Sequence, residues 1–248
     1  MDRSRAQIAP RTAVVWQVLR GELDRRGGER LDVVDVGGGT GGFAVPLAES
    51  GHRVTVIDAS PDALAALMRR AADAGVADLV SAQQGDADDL PRLVPPGRAD
   101  LVLCHSLLEV VDEPRPVVSA LAGTLRPGGA ASVLVANRAA AVLSRAFGGH
   151  LAAAGALLTE ADGVTSPDTL RRRFDAGTAS ELLAGAGLVV EQVHGVRVVA
   201  DLVPGAVLEV EAGSTEALVE FELAAAARPP YRDIATQLHL LARQPLAT

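Results

Sequence analysis

The amino-acid sequence predicts an α/β fold, a doubly wound sheet of seven strands, and three observations carry that reading. Short runs rich in Val, Leu and Ile alternate with Ala/Leu-rich helical stretches, the pattern of a parallel sheet covered on both faces. Residues 33–42, VVDVGGGTGG, form an apolar run that ends in an acid and a glycine-rich turn, and a helical pattern follows from Phe43 to Glu49. The third observation is size: 248 residues with 48% hydrophobic content can bury one large core.

Taken in order, a helix over Thr12–Arg25 precedes a first strand at Leu31–Val36, and the glycine turn leads into a helix over Gly42–Ser50. A second strand at Arg53–Ile57 follows, then a helix over Pro61–Ala74, where Ser60 before Pro61 reads as a cap with proline in the first turn. Strands at Leu79–Gln83 and Asp100–Cys104, a helix over Pro114–Leu125, and a strand at Ala131–Val135 continue the alternation. Arg126-Pro127-Gly128-Gly129 reads as a helix stop and tight turn. After a helix over Thr178–Gly185, the last strands are expected near Leu188–Val199 and Thr236–Ala242. The segment from Asn137 to Asp175 breaks the pattern with an Ala-rich helical part, a Gly148-Gly149 break and a polar stretch over Thr159–Asp168. It reads as an insertion, near residues 137–175, that caps the site of a single domain spanning 1–248.

Composition excludes several function classes. The net charge of -8 argues against a broad duplex or membrane-surface footprint, which needs a basic face. Cys104 is the only cysteine, so no intrachain disulfide and no cysteine-based metal site is available, and no metal is expected. The N-terminal segment lacks an apolar signal core, and no stretch reaches the roughly 18 apolar residues of a membrane span, so a soluble cytoplasmic protein is expected.

The glycine turn is the candidate site. Glycines allow positive φ and close approach of a ligand to bare backbone, and the following helix start offers N–H donors. Gly37, Gly39 and Gly42 also satisfy GxGxxG, so the glycines alone leave a dinucleotide open. In a doubly wound sheet ligands lie beyond the carboxyl ends of the strands. Those ends carry Asp35 before Gly37, Gly38, Gly39 and Gly41; Asp58 with Ala59; Gly85-Asp86-Ala87; and Cys104-His105-Ser106. Asp58 suits a ribose diol, because a carboxylate accepts two hydrogen bonds from vicinal hydroxyls, and Asp86 suits an adenine amine with the Ala87 N–H directed to a ring nitrogen.

This set, DVGGGTG with Asp58, Gly85-Asp86-Ala87 and DLVLCHSLLEVV, resembles the class I S-adenosylmethionine-dependent methyltransferases. The resemblance implies a Rossmann-like methyltransferase fold, a seven-stranded sheet whose last strand is antiparallel, with S-adenosylmethionine as the cofactor lying across the glycine loop. A longer similarity runs from Arg11 to Pro245: Arg11 to Gln17, LCHSLLEVVDEP, Gly195 to Val198 with Asp201, Leu208-Glu209 with Glu211, and PPYRDIATQLHLLARQP are similar to the bacterial tRNA 5-carboxymethoxyuridine methyltransferase family. That similarity implies that Arg11 reaches the methionine carboxylate of the cofactor and that His105 lies against it.

The chain departs from that family where a tRNA is held. The family's lysine-rich loop corresponds to Gly148–Gly163, which has no Lys or Arg, and its aromatic positions are Val110, Val199, Ala200 and Leu202 here. Phosphate contacts and base stacking carry much of RNA affinity. The expected acceptor is therefore a small or medium-sized anionic molecule, with Arg197 pairing its charge, or with Asp201 instead. The tRNA wobble carboxymethoxyuridine is the alternative partner, and a non-catalytic S-adenosylmethionine-binding protein a second. An acceptor that needs a base would find His105, with Glu109 a turn further on.

Overall fold

The computed structural model describes residues 9–160, 162–164, 168–210 and 213–246. Part of the polar stretch expected over Thr159–Asp168, and Glu211 of one family-like segment, lie outside these residues. Helix α1 (Ala13–Arg25) precedes β1 (Asp32–Val36), α2 (Ala44–Glu49), β2 (Arg53–Asp58), α3 (Pro61–Asp73) and β3 (Val80–Gln84). A 3₁₀ turn at Ala87–Asp89 runs into the short α4 (Leu90–Leu93), followed by β4 (Ala99–His105), α5 (Pro114–Thr124) and β5 (Leu125–Ala136). The remainder is α6 (Arg138–Phe147), α7 (Leu151–Thr159), α8 (Ala176–Gly185), β6 (Val189–Val196), α9 (Gly205–Val210), α10 (Ser214–Ala225), α11 (Tyr231–Ile234) and β7 (Gln237–Arg243).

The sheet order is β3-β2-β1-β4-β5-β7-β6. Strands β1 to β5 pair in parallel, with Val36 beside Ile57 of β2 and Cys104 of β4. Strand β7 runs antiparallel to β5, because Gly128 donates to Gln244 at one end while Asn137 donates to Thr236 at the other. The order reverses between β1 and β4, so their carboxyl ends form the switch point.

The chain packs as two compact units. One holds residues 27–134, 179–192 and 240–248, hence most of the sheet. Its β4 is buried at every position before His105, and Val33, Val34 and Val36 of β1 are buried with it, as expected where helices cover both faces. Each such aliphatic side chain contributes about 1.5–3 kcal/mol on leaving water. Helix α3 follows directly from its sequence: Ser60 Oγ accepts the Ala63 N–H, Pro61 opens the first turn, and Leu64, Leu67 and Ala71 face the core.

The other unit holds residues 1–26, 135–178 and 193–239. The expected insertion is an α6–α7 helical pair broken at Gly148-Gly149, and Asp168 is held between Arg145 (2.9 Å) and Arg173 (2.6 Å). The arginines at 171–173 precede α8, and Arg173 also donates to the Gly163 carbonyl. Asn137 starts this unit's helical pair: its Oδ1 accepts the Ala139 N–H at 3.1 Å and its Nδ2 donates to the Asp233 and Ala235 carbonyls at 2.9 and 2.7 Å.

Two local readings change. Arg126–Gly129 belongs to β5, where the register jumps from Ala99↔Leu125 to Leu101↔Ala130. Pairing of Gly128 and Gly129 with Gln244 holds this bulge as strand, which also lets Pro127 sit within it. The helices α9, α10 and α11 were not expected. Helix α10 hides from periodicity because one buried position is Glu222, whose carboxylate accepts the N–H groups of Val198, Val199 and Ala200, each at 2.8 Å. No helix among the described residues is long and apolar enough to cross a membrane.

Asn137 is 2% exposed, so Asn137→Ala strands the buried Ala235 carbonyl and the part-buried Asp233 carbonyl and removes a helix cap. The substitution is expected to lower unfolding free energy by about 2–4 kcal/mol, read by urea denaturation; a change below about 0.5 kcal/mol would refute this role.

Candidate active site

The glycine turn follows β1 and folds back over the acid that ends that strand. Asp35 is 3% exposed, and a Cβ added at Gly38 would lie 2.5 Å from its Oδ2 and 2.9 Å from Val56 Cγ1. Only glycine lets the turn close this tightly on the carboxylate. Gly37, Gly39 and Gly41 take φ values of 74°, 54° and 79°, and the Leu67 side chain closes the space beside Gly41. On the outer side of Gly39 an added Cβ would meet only Asp58 Oδ2, at 3.9 Å, which leaves bare backbone for a ligand to approach. Burial, reinforced by the neighbouring Asp58 charge, raises the Asp35 carboxyl from 3.8 to about 7.

Asp58 ends β2 and ties the turn to the next loop. Its Oδ2 accepts the Gly39 N–H at 2.8 Å and its Oδ1 the Ser60 N–H at 2.9 Å. A carboxylate has about four lone-pair sites, so each oxygen keeps capacity for a ligand hydroxyl. Ala59, between them, is exposed, and its carbonyl accepts from Gln84 at 3.4 Å. After β3, Asp86 is exposed and caps the 3₁₀ turn: its Oδ1 accepts the Ala87 N–H at 2.6 Å, and its own N–H donates to Asp89. The Ala87 N–H expected to meet a ring nitrogen is thus engaged within the chain.

His105 ends β4. Its Nε2 lies 2.9 Å from Ser132 Oγ, and its ring meets Phe43 edge to face at 4.7 Å between centroids. An edge of the side chain reaches solvent, yet Nδ1 is buried, and burial lowers the imidazole from 6.5 to about 4. The ring is therefore neutral at pH 7. Beside it Cys104 is fully enclosed, and burial raises its thiol far above the ordinary range, so it stays protonated.

Two residues at this end escaped the sequence analysis. In the sequence Phe43 reads only as the start of a helical pattern. Ser132 carried a visible signal, a lone hydroxyl in the apolar run of β5, and parallel pairing sets it beside Leu103, diagonal to His105.

In the second unit Asp201 is shared. Arg197 Nη2 approaches its Oδ2 at 2.6 Å, Arg11 Nε its Oδ1 at 3.1 Å, and Thr236 donates to Oδ2 at 3.1 Å. The salt bridge considered for Arg197 is present, and the exposed Arg11 joins it. Arg197 has φ 61°, a left-handed conformation uncommon outside glycine, and the Glu222-bound N–H groups that follow hold it there. Of the family's aromatic positions, Ala200 and Val199 pack toward the unit's core, while Val110 and Leu202 are exposed. Among the described residues no group of three or more His, Cys, Asp or Glu could hold a metal ion.

Within the turn, Gly39 leaves bare backbone beside Asp58, a space in which a ligand carrying hydroxyls can approach both. Residues 33–129 match the methyltransferase domain family. Over 237 residues, 95% of this chain and 88% of the relative, the chain is 32% identical to tRNA 5-carboxymethoxyuridine methyltransferase of Escherichia coli (strain K12). Its fold is similar to the [4+2]-cyclase SpnF, at TM-score 0.63 and 20% identity over 93% of this chain and 82% of that one. It is also similar to an S-adenosylmethionine-dependent methyltransferase from Mesorhizobium loti, at TM-score 0.61 and 21% identity over 93% and 97%. These structural likenesses speak for the fold alone, and one of the two is a cyclase, so the activity rests on the matched domain and on the near full-length similarity. The chain belongs to the S-adenosylmethionine-dependent methyltransferases, in the family of tRNA 5-carboxymethoxyuridine methyltransferase.

Proposed function

We propose that this methyltransferase esterifies a carboxylate on a small or medium-sized anionic acceptor. The observation that carries this reading is His105, the nearest candidate base, which is neutral, bound to Ser132 and lowered to about 4 by burial. A base that weak does little for an alcohol, phenol or amine at neutral pH. A carboxylate is already ionised and needs none. When bound, S-adenosylmethionine supplies an electrophilic methyl group on a sulfonium.

The chain's own residues bind, orient and exclude water. Asp58 holds the ribose hydroxyls, Asp86 the adenine amine, and the turn from Gly37 to Gly41, with Asp35, Ala59 and Ala87, shapes the cofactor's seat. Arg11 reaches the methionine carboxylate, and His105 lies against the cofactor as a neutral wall with Phe43 behind it. Arg11 and Arg197 both reach Asp201; when Arg11 turns to the methionine carboxylate, Arg197 keeps Asp201 on one nitrogen and presents the remaining donors of its guanidinium to the acceptor's anion. The α6–α7 pair, with exposed Phe147, Leu151 and Leu158, is the proposed cap. Alignment and desolvation then supply most of the rate.

A second reading, the wobble carboxymethoxyuridine of tRNA, is favoured by the 32% identity over 95% of the chain. It shares the carboxylate chemistry. The net charge of -8 and the absence of Lys and Arg from 148–163 count against it.

Labelled S-adenosylmethionine offered to a small-metabolite extract is expected to mark an anionic product, and to leave total tRNA carrying carboxymethoxyuridine unmarked. Arg197→Ala should lower that transfer by about 1.5–3 kcal/mol, roughly 10–150-fold. Strong label in the tRNA, lost in Arg197→Ala, would replace the first reading with the second.

Asp58→Ala is expected to weaken S-adenosylhomocysteine binding by about 1.5–3 kcal/mol in calorimetry. Unchanged affinity would remove Asp58 from the site. The pH dependence of stability tests Asp35 without ligand. Its folded pKa of about 7 exceeds its ordinary value of 3.8, so the folded state holds the proton more tightly and stability falls as pH rises between these values. The loss reaches about 4 kcal/mol above pH 7, and Asp35→Asn should abolish it; parallel pH profiles for the two proteins would contradict the assignment.

A further inference from the structure

A groove of about 390 Å³ lies at the amino-terminal end of the sheet, where β1, β2, β3 and β4 begin. Its lining runs from these strand starts to Val34 of β1 and to Gln83, the register partner of Ile57 on β2, and includes no residue of the glycine turn. Its size is that of a small-molecule pocket, about 300–1,000 Å³.

Its floor departs from the rule that a parallel sheet is covered on both faces. Val54, Val56 and Val80 are buried on one face, under α2 and α3. The alternate residues on the groove face are Arg53, Thr55, Ser81 and Gln83, and Thr55 is the register partner of Ser81. The short α4 and the turn after it line this face through Leu93, Val94 and Pro95, which supply an apolar wall. Neither the two hydroxyls nor the Gln83 amide has a hydrogen-bond partner among the described residues. Arg53 and Arg98 each make one long contact, both to Asp32, at 3.5 and 3.6 Å. Two guanidinium forks and three uncharged donors thus face one volume together with the carboxylates of Asp32 and Asp78, and the donors keep most of their hydrogen-bonding capacity unused.

We propose that this groove is a second binding site, separate from the cofactor turn, for a compact organic anion: a carboxylate or phosphate monoester with a small apolar body. The anionic oxygens displace Asp32 from the forks of Arg53 and Arg98, because a bidentate contact is stronger than the present monodentate ones. The hydroxyls of Thr55 and Ser81 take further acceptor positions, and the body lies against the Val94–Pro95 wall.

The test uses the full chain saturated with S-adenosylhomocysteine, with benzoate, phenyl phosphate and neutral benzyl alcohol as probes, read by amide NMR shifts. Saturable shifts at Thr55, Ser81 and Gln83 are expected with an anionic probe below about 20 mM, and at least about tenfold weaker binding with benzyl alcohol. Preference for one anion over the other names the source, phosphate or carboxylate. The exposed pair Arg53→Gln/Arg98→Gln and, separately, Ser81→Leu, which fills the floor without changing charge, should each weaken binding by about tenfold while melting temperature and S-adenosylhomocysteine affinity hold. Equal binding of benzyl alcohol, insensitivity to both variants, or no saturable shift at these residues would overturn the proposal. Because cofactor affinity is measured in the same samples, a failure here is distinguishable from a failure of the active-site reading.

Discussion

Asp35 places a carboxylate at the end of a strand that is buried on both faces, and the turn from Gly37 to Gly41 can fold over it only because position 38 has no Cβ. The close packing has an electrostatic consequence, because an acid removed from water and set beside Asp58 resists ionisation. The turn's conformation, the position of Asp58 and the start of α2 all depend on that contact. Asp58 completes it by accepting the Gly39 N–H, so the side chain offered to a ribose also holds the backbone the ribose must meet.

Charge is handled differently at the ends of the strands and in the second unit. Around the turn the titratable groups are suppressed: Asp35 is raised, His105 is lowered and Cys104 is kept as a thiol. Desolvation is the largest cause in each case. Around Asp201 the charges remain, with two arginines on one carboxylate. A methyl donor whose positive charge dissipates in the transition state gains from dry, neutral surroundings, while an anionic acceptor gains from a fixed cation.

The fold by itself leaves the reaction open, as similarity to a cyclase and to a methyltransferase at nearly equal TM-scores shows. What varies on such a scaffold is the lining of strand ends and crossovers. Here the short β3–β4 crossover lines a sheet face that carries Arg53, Thr55, Ser81 and Gln83.

The strands, the glycine turn and the acids at the strand ends were legible because each rests on local chemistry: period-two burial, apolar runs in covered strands, and glycine where a side chain cannot fit. Ser60 and Pro61 likewise announced α3. Contacts between distant segments were not legible. Glu222 reads as a solvent residue until α10 brings it under the N–H groups of residues 198–200, and the Arg126–Gly129 turn becomes strand only because Gln244 pairs with it. The same holds for the Ser132 partner of His105 and for the Arg11 that joins Arg197 on Asp201. The sequence by itself determined which residues could carry charge or bare backbone; the tertiary structure decided which of them keep that charge, because desolvation and pairing depend on neighbours 27 residues away for His105 and 4 and 190 away along the chain for the two arginines of Asp201.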